Sequence, residues 1–310
     1  MLIITGTIAY DYIMDFPGNF SDHINKDQIH QINLSFIVNK FTKRRGGTAG
    51  NVSYSLGLLK TPHTLFSVAG NDFDEYKKTF EQLKIDTSKV KIDPTRNSST
   101  GFAMTDMSDN QIWGYFYGAS EEIPSLSLSE VANRNDLVLI GPAGSAGSIS
   151  FVKQCIKLKI PYVFDPGFIL TQVKNNELEL GIENASYIIG NDYEIALIKK
   201  RLKNWEELFE GKIIITTLGK NGALIEKGEE KISIRAVKTN KLVDPTGAGD
   251  AFRSGFLAGI IRNFDLKTSG QIGALAAVYA IENYGTQEHS YTLGEFKNRY
   301  RQAYGSMLKL

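Results

Sequence analysis

Val243-Asp-Pro-Thr-Gly-Ala-Gly-Asp-Ala-Phe252 carries the clearest chemistry in the chain. Gly247, Ala248 and Gly249 stand directly before Asp250, and an apolar helical pattern (Ala251, Phe252, Phe256, Leu257, Ile260) follows. Glycines let backbone amides approach a ligand without a Cβ clash. A helix N-terminus adds unpaired N–H groups and partial positive charge. The combination predicts an anion hole for phosphate. A carboxylate there repels phosphate, so it makes a poor phosphate ligand. It suits a base that takes the proton of a hydroxyl attacking phosphorus, as phosphoryl transfer requires. The plainer alternative is that Asp250 caps the helix, although a cap does not require Gly-Ala-Gly in front of it.

Other anion chemistries fit less well. A Walker loop would end in Gly-Lys-Ser/Thr, and no such run is present. A dinucleotide fingerprint would want glycine where Phe252 stands. Gly141-Pro-Ala-Gly-Ser-Ala-Gly147 has the wrong spacing and reads as a strand-to-helix turn. No Gly-x-Ser-x-Gly elbow supports a serine hydrolase. His23, His30, His63 and His289 are not spaced as metal-ligand pairs, and Cys155 lies in an apolar helical stretch, where it reads as core.

A second constellation, Gly46-Gly-Thr-Ala-Gly-Asn51, opens a helical pattern over Ala49–Leu59. Paired glycines permit close backbone contact, and Asn51 offers both donor and acceptor. Asp11 follows the first apolar run and could accept from two vicinal hydroxyls. Gly46, Gly47, Asn51 and Asp11 therefore read as a site for a polyhydroxylated substrate. The competing readings are a helix entry turn and a solvated loop aspartate. Lys43-Arg-Arg45 before the glycines reads as a solvated surface run, with a phosphate contact as the alternative.

These residues need a frame. Leu2–Gly6, Asp136–Gly141, Tyr162–Asp165, Tyr187–Asn191 and Lys212–Leu218 are short runs rich in Ile and Val, apolar on both faces. Strands covered by helices on both sides read this way. The class is α/β, a doubly wound, mostly parallel sheet with helices on both faces. Ligands of such sheets bind at the carboxyl ends of the strands, where Asp165, Asn191 and Thr217 fall. Two segments break the rhythm. Gln31–Asn39 alternates Ile32, Leu34, Phe36 and Val38 with mostly polar neighbours, and Gly101–Gly118 holds two runs around Ser108-Asp109-Asn110. Alternation predicts half-buried strands, here a small separate sheet that could close over a ligand as a lid. An edge hairpin is the plainer reading.

Composition sets the limits. The 310 residues are 42% hydrophobic and 22% charged, an ordinary globular balance without repeat or low-complexity linker. Lys+Arg is 35 against 34 for Asp+Glu, which gives no electrostatic case for nucleic-acid binding. One cysteine excludes an internal disulfide framework. No apolar run approaches the roughly 20 residues of a membrane span, and Met1–Gly6 lacks the basic lead of a signal peptide. The expectation is a cytoplasmic protein without a membrane partner.

Gly46-Gly47…Asn51 and Asp244-Pro-Thr-Gly-Ala-Gly-Asp250 resemble the two signatures of ribokinase-like (PfkB-type) carbohydrate kinases. Gly70-Asn-Asp-Phe73, Thr100-Gly101, Asp165-Pro166, Asn191-Asp-Tyr-Glu194 and Thr216-Thr-Leu-Gly219 fall in the family's order, so the resemblance covers essentially residues 1–310 as one kinase domain. Lid segments would lie at about 12–40 and 100–120. The resemblance implies transfer of the ATP γ-phosphoryl to a hydroxymethyl group of a sugar or nucleoside. It implies Asp250 as base, with Gly247, Ala248 and Gly249 as anion hole. Asp11, Gly46, Gly47 and Asn51 would bind substrate hydroxyls. Asn191 and Glu194 match the N-x-x-E motif that organises Mg²⁺ and phosphate, Glu194 through water. Thr217 and Gly219 would stand beside the nucleotide. Asp244 and Thr246 match the start of a monovalent-cation loop, for K⁺ in activated members, whose remainder would fall near Ile281–Thr286. Pro245 stands where many members carry Thr or Ala.

Asp109-Asn-Gln-Ile112 with Tyr115-Phe-Tyr-Gly-Ala119, and Glu282-Asn-Tyr-Gly-Thr-Gln-Glu-His289, resemble an adenosine-kinase-like bacterial branch. The expected substrate is a ribonucleoside, adenosine first. Ribose, fructose or a related sugar is the alternative, and a non-catalytic nucleotide or sugar sensor a third. Lid strands of some relatives pair across a dimer, which would suit Ile32–Val38.

Overall fold

The computed structural model describes residues 1–24, 33–108 and 110–310. Its main sheet has eight strands. Next to one edge lies β1 (Leu2–Thr5). It pairs in parallel with β4 (Thr64–Leu65) on one side and β9 (Leu137–Ile140) on the other. Beyond β9 follow β10 (Tyr162–Phe164), β11 (Tyr187–Asn191) and β12 (Ile213–Thr217), all parallel. Two antiparallel strands, β13 (Ala223–Lys227) and β14 (Glu230–Ile234), finish that edge. The five strands expected from apolar runs are thus the core of the sheet, each within a residue or two of its expected bounds.

Successive residues of these strands feed two separate cores, as the pleat demands. Leu2, Ile4, Leu139, Val163, Ile189 and Ile215 pack against α1 (Thr48–Leu58), α2 (Asp74–Gln82), α7 (Ala248–Ile261), α8 (Leu266–Ile281) and α9 (Leu293–Tyr304). Ile3, Val138, Ile140, Phe164, Ile188 and Ile214 pack against α3 (Gly144–Leu158), α4 (Asn175–Glu183), α5 (Asp192–Arg201) and α6 (Trp205–Phe209). Helices on both faces of a mostly parallel sheet are the doubly wound arrangement the sequence predicts. Cys155 is buried in the second core.

A separate four-stranded sheet has the order β3 (Lys40–Gly46), β2 (Ala9–Asp15), β7 (Ser99–Thr105), β8 (Gln111–Phe116). A short parallel pair, β5 (Ser67–Ala69) with β6 (Val90–Ile92), completes the strands among the described residues. The hairpin over Gly101–Gly118 is present as β7 and β8, its turn residue Asp109 lying outside the described residues. The strand expected over Gln31–Asn39 is not. Gln31 and Ile32 fall outside the described residues, and 33–39 contains no strand. Phe36 instead packs edge-on against Phe16 and Phe20, at 4.7 and 5.5 Å between ring centroids. That local aromatic cluster takes up the apolar side chain which suggested a sheet face. The strand starts at Lys40 and runs through the basic residues, pairing Lys40 with Asp15 and Arg44 with Asp11. Lys43 reaches Glu75 at 3.0 Å and Arg45 reaches Glu288 at 3.3 Å, so the run is built into the fold rather than simply solvated.

Candidate active site

Asp250 is the third residue of α7, and Gly247, with φ of +81°, occupies the cap position without a side-chain bond. The capping alternative is therefore not the one the chain adopts. The Ala248 amide reaches back to Pro245 O at 3.2 Å, and the Ala251 amide to Gly247 O at 2.9 Å. The amides of Gly249 and Asp250 have no carbonyl partner among the described residues, which leaves N–H groups of the kind that can meet an anion at a helix tip. The Asp250 carboxylate instead turns to α1, where Asn51 Nδ2 donates to its Oδ2 at 2.8 Å. Burial raises the Asp250 carboxyl above its usual range, while the Arg253 charge and the Asn51 donor oppose that rise.

Arg253 lies one turn further along the helix, and no sequence motif singled it out. Its Nε and Nη2 grip Asp165 at 2.5 and 2.7 Å, just beyond the end of β10, and Nη2 stands 4.0 Å from Glu194. Surrounded by three carboxylates, it is held firmly protonated despite burial. A Cβ on Gly249 would meet Arg253 Nη1 at 2.6 Å. The second glycine of Gly-Ala-Gly thus makes room for a guanidinium as well as for a ligand. One signal was available: an arginine inside the apolar run Ala251, Phe252, Phe256 must be buried and so needs a partner.

Asp11 sits in the middle of β2, and its carboxylate occupies space that a Cβ on Gly46 would fill. A Cβ on the cross-strand Gly101 would stand 2.5 Å from Oδ1. Gly47, with φ of +83°, leads into α1; a Cβ there would be 2.6 Å from Thr7 O and Ala9 N. Burial pushes the Asp11 carboxyl up to about 7, with the Asp250 charge adding to it. Between its ordinary value of 3.8 and about 7 the folded state holds the extra proton, so stability from this group falls as pH rises through that window. Asp11→Asn should therefore stabilise the protein at pH 8, with the gain closing towards pH 4. A shift of this size has a ceiling of about 4 kcal/mol. Asp11 is partly open to the cleft, which reduces the expected gain to about 1 kcal/mol. Thermal melts at both pH values check this, and an equal difference at both would remove burial of the charge as the cause.

Asn191 and Thr217 are cross-strand partners at the carboxyl edge of β11 and β12. Asn191 caps α5: its Oδ1 accepts from Glu194 N at 2.8 Å, and Glu194 Oε2 accepts from Asn191 N at 2.7 Å. The N-x-x-E spacing thus has a local reason, a reciprocal capping box. Glu194 still faces the Arg253 cluster. Thr217 Oγ1 donates to Gly190 O at 3.5 Å, and Gly219 (φ +53°) opens the next turn into free space. Asp244 accepts from Thr246 N at 2.9 Å and Gly285 N at 3.0 Å, tying the loop before α7 to the segment after α8.

A cleft of about 1120 Å³ separates the inner face of the four-stranded sheet from those two loops, with Asp11, Arg44, Trp113, Asp244 and Thr286 among its walls. Trp113, Tyr115 and Phe168 form a parallel stack at 5.5 and 5.9 Å between centroids. The two sheet residues converge with Asp11 around Gly101. Thr286, Gln287 and Tyr76 join Asn51 in a buried network. Thr286 and Gln287 fall in the Glu282–His289 run already noted, without a role assigned to Gln287, and Tyr76 carries no motif signal.

Fold and cleft together define a class, the α/β enzymes that bind ligands at the carboxyl edge of a parallel sheet. Residues 10–292 match the model of the pfkB family carbohydrate kinases. The nucleoside kinase of Methanothermobacter thermautotrophicus is 29% identical over 98% of this chain and 96% of its own. The solved structure of Burkholderia thailandensis nucleoside kinase in complex with inosine superimposes with a TM-score of 0.90 and 32% identity, covering all of both chains. The crystal structure of Methanocaldococcus jannaschii nucleoside kinase gives 0.86 and 27% identity over 97% of this chain and 98% of that one. The chain belongs to the pfkB family of carbohydrate kinases. It is accordingly an ATP-dependent kinase, as the two glycine signatures led one to expect.

Proposed function

We propose that the protein phosphorylates the hydroxymethyl group of a ribonucleoside. The observation that carries this reading is the flat Trp113–Tyr115–Phe168 stack, whose Trp113 end lines the same cleft as Asp11. A nucleobase needs an aromatic face, and the vicinal hydroxyls of ribose need a paired acceptor. The inosine bound by the B. thailandensis relative supports the same substrate class. Asp250 takes the proton of the attacking hydroxyl, whose oxygen bonds to the γ-phosphorus as ADP leaves. The amides at Gly249 and Asp250, with Gly247 and Ala248 shaping the turn, hold the migrating phosphoryl. Asp11, Gly46 and Gly47 bind the sugar, and Thr217 and Gly219 stand beside the nucleotide.

Mg²⁺ suits the donors available. They are carboxylate oxygens, and no cluster of three among the described residues could cage a metal ion. An ion that keeps several waters and binds substrate phosphates requires no cage; Glu194 would hold it through water, and it would neutralise phosphate charge. The tie from Asp244 to Gly285 supports a two-loop site for K⁺ that includes Thr246. Residues 1–310 act as one kinase domain in the cytoplasm, and the four-stranded sheet closes as a lid; of the expected lid segments about 12–40 and 100–120, residues 25–32 and 109 lie outside the described residues.

The outer face of that sheet supports pairing with a second copy. Phe41, Phe102, Ile112 and Phe116 are all about half exposed or more, and Tyr12 stacks on Phe41 and Phe102. Phe102→Asp should shift sedimentation from dimer to monomer; a monomeric wild type would rule the dimer out.

The deciding experiment is phosphoryl transfer from ATP·Mg²⁺ to a panel of nucleosides and free sugars, run in K⁺ and in Na⁺. Preference for a ribonucleoside supports the reading. Preference for ribose or fructose moves it to the sugar alternative, which the polar walls Lys40 and Arg44 favour. Binding without transfer to any acceptor would mark a sensor.

A further inference from the structure

Gln287 lies on the segment after α8 and is 2% exposed, out of reach of any ligand in the cleft. Its Nε2 donates to Asn51 Oδ1 at 2.9 Å, while Thr286 Oγ1, with one proton to give, stands 2.8 Å from the same oxygen and 2.9 Å from Arg45 O. Asn51 Nδ2 then faces Asp250. An asparagine amide has nearly the same shape after a half-turn, so sterics alone do not choose its orientation. Here hydrogen bonding does. Turned over, Asn51 would present oxygen to the Asp250 carboxylate and nitrogen to the Gln287 amide donor; Thr286, which can give its one proton to Arg45 O, tolerates either orientation. Gln287 is itself oriented. Tyr76 Oη donates to Gly46 O at 2.8 Å, so it accepts from Gln287 Nε2. Asn51, Tyr76 and Thr286 are likewise buried, at 5%, 0% and 6% exposure. The chain of bonds runs from Asp250 to the carbonyl of Gly46, whose Cα lies against Asp11.

We infer that Gln287 is a positioning residue: backed by Tyr76, it locks the Asn51 amide with its nitrogen towards Asp250. The inference rests on the reading of Asp250 as the base. Without the lock, the amide turns over in part of the population, and in that fraction Asp250 loses its donor and is pushed aside.

The test is a pair of substitutions. Gln287→Met keeps the volume and removes the donor. Its kcat should fall about tenfold, or roughly 1.4 kcal/mol, with KM for ATP and for the nucleoside within about twofold, because Gln287 touches neither. A merely structural role would also lower the active fraction, so Gln287→Met is repeated in an Asn51→Leu background. The lock predicts no further loss there, since the group it acts through is gone. An unchanged kcat in the single variant, or the same tenfold loss in both backgrounds, overturns the inference. If Gln287→Met does not fold, Tyr76→Phe serves, with a smaller loss that again vanishes without Asn51. Asp250→Asn separates the two levels. Full turnover there removes the base and the lock together. Lost turnover there with an unchanged Gln287→Met removes only the lock.

Discussion

Asp250→Asn should lose turnover by about a thousandfold while ATP still binds. A positioned general base contributes roughly 10²–10⁴ in rate. The substitution keeps the side-chain shape, and Asn51 Nδ2 can still donate to the remaining oxygen, as it does at 2.8 Å in the native protein. What disappears is the ability to accept a proton. The loss should therefore fall on kcat, with KM for ATP within a few-fold. The fold gives its own control. Burial raises the Asp250 carboxyl, so replacing it with a neutral amide should not lower the melting temperature at pH 8. A variant that melts normally and turns over at near the native rate would dismiss Asp250 as the base.

Arg253→Met should be the most destabilising single change near the site. Arg253 is 9% exposed and Asp165 1%, and the two meet at 2.5 and 2.7 Å. Removing one partner of a buried pair strands the other charge, at a cost of about 3–5 kcal/mol. In a chain of this size that is roughly 10 °C in melting temperature. The stranded Asp165 can escape by taking up a proton, and burial already favours that form. The deficit should therefore be full at pH 8 and shrink as pH falls towards 5. Adding Asp165→Leu should recover much of it, because an apolar pair does not carry the desolvation cost. A melting temperature within about 2 °C of native for Arg253→Met alone would show that the pair holds nothing together.

Much of the scaffold is written locally. Runs such as Tyr187–Asn191 and Leu2–Thr5 are strands because branched apolar residues cover both faces, and they occur where expected. Gly247 through Asp250 announced a helix tip because the required backbone chemistry lies within four residues. Local reading failed where a signal had two local uses. The alternation before Asn39 suggested a strand, but Phe36 is spent on a nearby aromatic cluster, and pairing with β2 begins at Lys40. The Asn191–Glu194 spacing serves a capping box whatever else it does.

Which side chains meet was decided only by the crossovers of the sheet. Asn51 and Asp250 are 199 positions apart, and Arg253 and Asp165 are 88 apart. Periodicity and turn chemistry act over one or two turns of chain, so they place each group on its element without naming its partner. The sequence by itself determined the strands, the helix tip and the kinds of group at the strand ends. The tertiary structure chose the contacts: Asn51 bonded to Asp250, Arg253 buried under Gly249, and Gln287 behind Asn51, because only packing α1, α7 and the segment after α8 together removes the water with which those groups would otherwise pair.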